Sequence, residues 1–111
     1  MCDRHPMWLE STVLLSLIFL LTANASATAA DAGRGYALAR ANCAVCHAVE
    51  KNGASPNNEA PPFRVLHQRY PVESLEEALA EGIVTGHSDM PEFKLEPDEI
   101  GDFIAYLRTL E

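Results

Sequence analysis

Two cysteines and a histidine carry the chemistry legible in this chain: Cys43-Ala44-Val45-Cys46-His47. The C-x-x-C-H pattern is that of covalent c-type haem attachment. Thiols at this spacing lie about one helical turn apart, so both can add to the vinyl groups of one porphyrin. The adjacent imidazole is then positioned to reach the iron. Haem iron takes one or two axial ligands from protein, and His47 is the proximal candidate. Beyond the N-terminal apolar segment, Met90 is the one thioether in the sequence, 43 residues after His47. A lone methionine usually packs in a core. Here the polar run Gly86-His87-Ser88-Asp89 and the following Pro91 argue against that, and Met90 is read as the sixth iron ligand.

These groups need elements to hold them. Ala32 to Cys46 reads as a helix running into the motif, with Gly35 marking a close approach to another element, since a glycine there weakens the helix by about 1 kcal/mol relative to alanine. Glu50 to Pro62 is rich in breakers (Asn52-Gly53, Ser55-Pro56, Pro61-Pro62) and predicts a long loop, which wrapping a cofactor edge would explain. Phe63–Tyr70 predicts a short helix. Val72–Glu81 predicts another, closed by Gly82. Ile83–Leu95 is irregular and carries His87 and Met90. The last helix should run from Pro97 to about Leu110, with Ile100, Phe103, Ile104 and Leu107 as its apolar stripe. Glu96 stands where serine or threonine would cap better. No strand alternation is visible, so the expected fold is all-α, with three to five helices.

The chain has 111 residues and a net charge of −8. Residues 1–30 resemble an export signal: the apolar run Val13–Leu21, then small residues offering A-x-A cleavage near residues 27–30. The run is less than half the ~20 residues of a membrane span. Residues 31–111 would then form one domain of 81 residues, with seven basic and 14 acidic side chains, Cys43 and Cys46 as its thiols and no tryptophan. A domain that small usually gains stability from a cofactor, metal or disulfide. Its acid excess argues against nucleic acid and for a redox partner with a basic docking surface.

The sequence is similar to small, single-haem, class I bacterial c-type cytochromes over Gly33–Leu110. The shared features are Gly35 eight residues before Cys43, the C-x-x-C-H, Ala60-Pro61-Pro62-Phe63, Met90-Pro91 and Ile100–Leu107. The resemblance implies one covalent haem c bound at Cys43 and Cys46, first and last helices crossing at Gly35, and a Pro61 carbonyl that holds the second ring nitrogen of His47. No tryptophan is left to hold a haem propionate, so Arg64, His67, Arg69 and Tyr70 become candidates. His67 and His87 otherwise read as surface histidines, and His87 as the replacement ligand should Met90 leave.

With both axial positions filled, substrate has no access to the iron. The reading is therefore an exported, periplasmic one-electron carrier and not an enzyme, with iron held by His47 and Met90. The alternatives are a cytochrome subunit of a dehydrogenase complex, or a haem enzyme or sensor whose Met90 is displaceable. A thioredoxin-like dithiol site would need a β-α-β setting, and a zinc site from Cys43, Cys46, His67 and His87 would leave His47 and Met90 unexplained.

Overall fold

Asp31 opens the first helix: its carboxylate accepts the Arg34 N–H at 2.8 Å, satisfying one of the free donors of the first turn. In the computed structural model, which describes residues 28–82 and 89–111, α1 spans Ala32–Asn42. A 3-10 helix (Phe63–Gln68), a 3-10 turn (Val72–Ser74), α2 (Leu75–Glu81) and α3 (Pro97–Arg108) follow. Among the described residues there is no strand, as the sequence predicts for an all-α chain. None of the described helices is long and apolar enough to cross a membrane.

Three local readings change. The first helix stops at Asn42, short of the expected Cys46, where the Ala44 N–H donates to the Ala39 carbonyl, five residues back, at 3.2 Å and so leaves the helical pattern. The segment expected as one helix from Val72 is 3-10 at first, because Ser74 bonds back to the Pro71 carbonyl three residues earlier. At α3, the weak cap Glu96 is offset by Glu99, whose carboxylate accepts the Glu96 N–H at 3.0 Å, and Pro97 fills the first helical position.

α1 and α3 cross at Gly35. A β-carbon there would collide with the Asp102 carbonyl and stand 2.9 Å from Tyr106 Cβ, so only glycine permits this approach. The crossing is tied by Arg34, whose Nε and Nη2 donate to the two oxygens of Asp102 at 2.6 and 2.9 Å. Ile100, Phe103, Ile104 and Leu107 are all buried, with Ala39, Leu66, Val72 and Leu79 packed in the same core. Tyr106 is a packing residue with a job for its hydroxyl, which donates to the Val49 carbonyl at 2.5 Å and secures the chain just past the cysteine motif.

Candidate functional site

The C-x-x-C-H residues form a turn and not a helical continuation. The Cys43 carbonyl accepts N–H groups from both Cys46 (3.2 Å) and His47 (2.9 Å), which folds the motif back on the end of α1. Cys43 and Cys46 form no disulfide with each other, which leaves both sulfurs for haem attachment. Burial pushes the Cys43 thiol up to about 11.

The loop over residues 50–62, expected to be without structure of its own, is pinned to this turn. Asn57 N–H donates to the Cys46 carbonyl at 3.1 Å, Ala48 N–H to Ser55 Oγ at 2.9 Å, and Phe63 N–H to the Ala48 carbonyl at 2.9 Å. The loop thereby carries Pro61 to His47, where the carbonyl oxygen lies 2.8 Å from Nδ1. A carbonyl only accepts, so Nδ1 holds the proton and the lone pair of Nε2 is free for a metal. The imidazole packs on Phe63 (centroids 5.1 Å apart), and Phe63 meets Phe103 of α3 edge-on at 5.7 Å. The histidine ring is thus fixed by one hydrogen bond and an aromatic wall rooted in the core.

The chain returns to the same cleft after α2. Leu95 N–H donates to the Leu79 carbonyl at 2.9 Å, anchoring the end of the segment that bears Met90. Cys43, Cys46, His47, Pro61 and Met90 all line one cleft of about 360 Å³. Its walls are Leu38, Phe63, Leu66, Leu75, Leu79 and Phe103. An apolar slot with two thiols at one edge, a fixed imidazole on one wall and a thioether among its lining residues suits a porphyrin in shape and in chemistry. The lining leucines were missed as site residues in the sequence, because their apolar spacing signals core and cofactor wall alike.

Of the four propionate candidates, Arg69 and Tyr70 line this cleft. Arg64 and His67 instead line a separate hollow with Lys51 and the C-terminal Thr109–Glu111, because they project from the other side of the 3-10 helix. His67 therefore does not join the cysteines in a zinc site, and among the described residues no group of three His, Cys, Asp or Glu side chains could hold a metal ion. His87 and residues 1–27 lie outside the described residues.

A helical fold, without a strand among the described residues, around a slot bearing these groups is what a mono-haem c-type cytochrome requires. The comparisons agree: the chain belongs to the cytochrome c family, whose model matches residues 32–111. It is 36% identical over 94 residues to cytochrome c-552 of Bradyrhizobium diazoefficiens, covering 85% of this chain and 88% of that protein. It is 35% identical over 81 residues to a cytochrome c-553-like protein of Synechocystis sp., covering 72% and 70%. Cytochrome c6 of Nostoc sp. is 34% identical over 100 residues, covering 87% of each chain. No solved structure matches significantly. As a family member the protein carries one covalent haem c and transfers electrons without being an enzyme.

Proposed function

We propose that this cytochrome is an exported, periplasmic one-electron carrier whose haem is joined to Cys43 and Cys46 and whose iron is held by His47 and Met90. The observation that carries the reading is that His47, whose Nδ1–H donates to the Pro61 carbonyl, lines the same cleft as Met90. The bound haem supplies reversible exchange of one electron at iron. The residues of the chain do the rest. His47 offers Nε2, and the Pro61 bond fixes its ring orientation and raises its basicity. Met90 offers a soft thioether, which favours the ferrous state and raises the potential. The leucine and phenylalanine walls keep water from the site, another lever on the potential.

Arg69 and Tyr70 are the proposed donors to the haem carboxylates. The Tyr70 phenol has an ordinary value near 10, and burial raises it further, so it is protonated at neutral pH and able to donate. The mouth of the cleft supports docking of a redox partner. Val45 is 78% exposed and Tyr70 37%, the large exposed apolar groups among the described residues, and both line the cleft. Glu59 and Asp89 line it as exposed acids. An apolar contact with an acidic border suits a partner whose own docking surface is basic.

The test of this reading is Met90→Ala in the haem-loaded protein. The expected outcome is loss of the near-red sulfur-to-ferric-iron absorption together with a lower reduction potential. An unchanged spectrum would mean that another group fills the sixth position.

A further inference from the structure

We propose that the hollow between the 3-10 helix and the end of α3 binds a phosphate group, held by Arg64 and Lys51. The site lies apart from the haem cleft and does not depend on which groups ligate the iron. Three separate stretches of chain build it: Lys51 from the loop after the cysteine turn, Arg64, His67 and Gln68 from the 3-10 helix, and Thr109–Glu111 from the end of α3. The 3-10 form matters, because side chains three residues apart eclipse there. Arg64 and His67 are thereby set on one face.

Arg64 is half-buried, and its Nη1 is shut off from solvent with no hydrogen-bond partner among the described residues. A buried donor left unpaired is costly, more so when it is charged. The groups around the hollow do not satisfy it. At the end of α3 the Tyr106 carbonyl accepts both the Thr109 N–H (2.9 Å) and the Thr109 hydroxyl (2.7 Å), and the Leu107 carbonyl accepts the Leu110 N–H (3.0 Å). Glu111, the acid of the hollow, forms no ion pair with Arg64, Lys51 or His67.

The charge pairing of the rest of the domain makes this exception informative. From residue 31 onward 14 acids face seven bases, and Arg34, Arg40 and Arg108 each hold a carboxylate. Among the described residues Lys51, Arg64, Arg69 and Lys94 do not. Arg69 lines the haem cleft, where it is the proposed donor to the haem carboxylates. Lys94 is exposed and shares neither hollow nor cleft with another base. Lys51 and Arg64 share one hollow, and their charges call for a second anion there.

Glu111 and the negative end of α3 oppose any anion, so binding must come from directed hydrogen bonds as well as charge. A halide accepts no fork of donors. A phosphate group does: the guanidinium can give two parallel N–H bonds to its oxygens, the Lys51 ammonium adds a mobile point charge, and His67 and Gln68 carry further N–H donors.

The test follows thermal unfolding of the haem-loaded protein at the haem band as inorganic phosphate replaces chloride at constant ionic strength. The midpoint should rise with phosphate, as it does for any ligand that binds only the folded state. The rise should be lost in Arg64→Gln, reduced in Lys51→Gln and kept in Lys94→Gln. General salting by phosphate acts on every variant alike, so the difference between variants reports the site. Lys51 is exposed, and Lys51→Gln carries the comparison should Arg64→Gln fail to fold. Cosedimentation with phosphatidylglycerol vesicles separates the two sources of a phosphate group. Vesicle binding that needs Arg64 and Lys51 assigns it to a lipid headgroup; a phosphate-dependent midpoint without vesicle binding assigns it to a free oxyanion. Equal midpoint responses in the parent and all three variants, with no vesicle binding that depends on Arg64 or Lys51, would overturn the proposal.

Discussion

The Pro61 carbonyl lies 2.8 Å from Nδ1 of His47 and fixes which nitrogen of that ring faces the cleft. The bond spans 14 residues of chain, and the loop that delivers it is itself hydrogen-bonded to the cysteine turn through Asn57 and Ser55. Orientation of the proposed iron ligand is therefore a property of the loop and not of the histidine alone.

Loosening that loop should be read at the iron. Pro61→Gly keeps the carbonyl but frees the backbone that aims it, which weakens the bond and makes the imidazole a poorer electron donor. The reduction potential should rise, measured by spectroelectrochemistry on the holoprotein. A potential unchanged or lowered would mean that the bond does not tune His47.

Gly35→Ala should weaken the crossing of α1 and α3. The added methyl meets the Asp102 backbone, which cannot rotate aside as a side chain would. Overpacking of this kind costs about 1–3 kcal/mol, and denaturant unfolding followed at the haem band would report it. A change below about 0.5 kcal/mol would mean that the helices separate without penalty.

Acid should act through Asp102. Its pKa is lowered, first by the Arg34 hydrogen bonds and then by the Asp31 N–H. A depressed carboxyl contributes stability that is fully present above the unfolded value of about 3.9 and is lost as pH falls through the folded value. Asp102→Asn should therefore be less stable at pH 7 and lose less stability than the parent as pH falls below the ordinary carboxylate value of about 3.9. Parallel pH profiles for the two proteins would exclude Asp102 as a source of the acid transition.

Electron transfer to a basic partner should slow as salt rises, since the acidic border of the cleft steers encounter over a Debye length of about 10 Å at 0.1 M. Stopped-flow rates at several ionic strengths would show it. A flat profile would assign docking to Val45 and Tyr70, the apolar part of the rim.

Much of the site was legible because covalent chemistry and backbone chemistry are local. Cys43, Cys46 and His47 announce themselves by spacing, Pro97 by its fixed φ, and the buried stripe Ile100–Leu107 by its period. The end of α1 at Asn42 and the 3-10 turn at Val72 were not legible, since each turns on one backbone hydrogen bond near a boundary, Ala44 to Ala39 and Ser74 to Pro71. Glu96 looked like a poor cap because its partner is the side chain of Glu99, three residues on.

By itself, then, the sequence determined which residue types this protein has for holding a haem: two thiols one turn apart, an adjoining imidazole, a single thioether downstream, and the apolar periods of an all-α domain. Only the tertiary structure decided which of them meet. It brought Met90 and Pro61 to the cleft of His47, gave Arg69 and Tyr70 to that cleft and Arg64 and His67 to another hollow, and joined Asp31 to Asp102 across 71 residues. The physical reason is that spacing fixes neighbours only within a turn or two of helix. Which distant side chains share a surface depends on how two helices cross, and here on the absence of a β-carbon at Gly35.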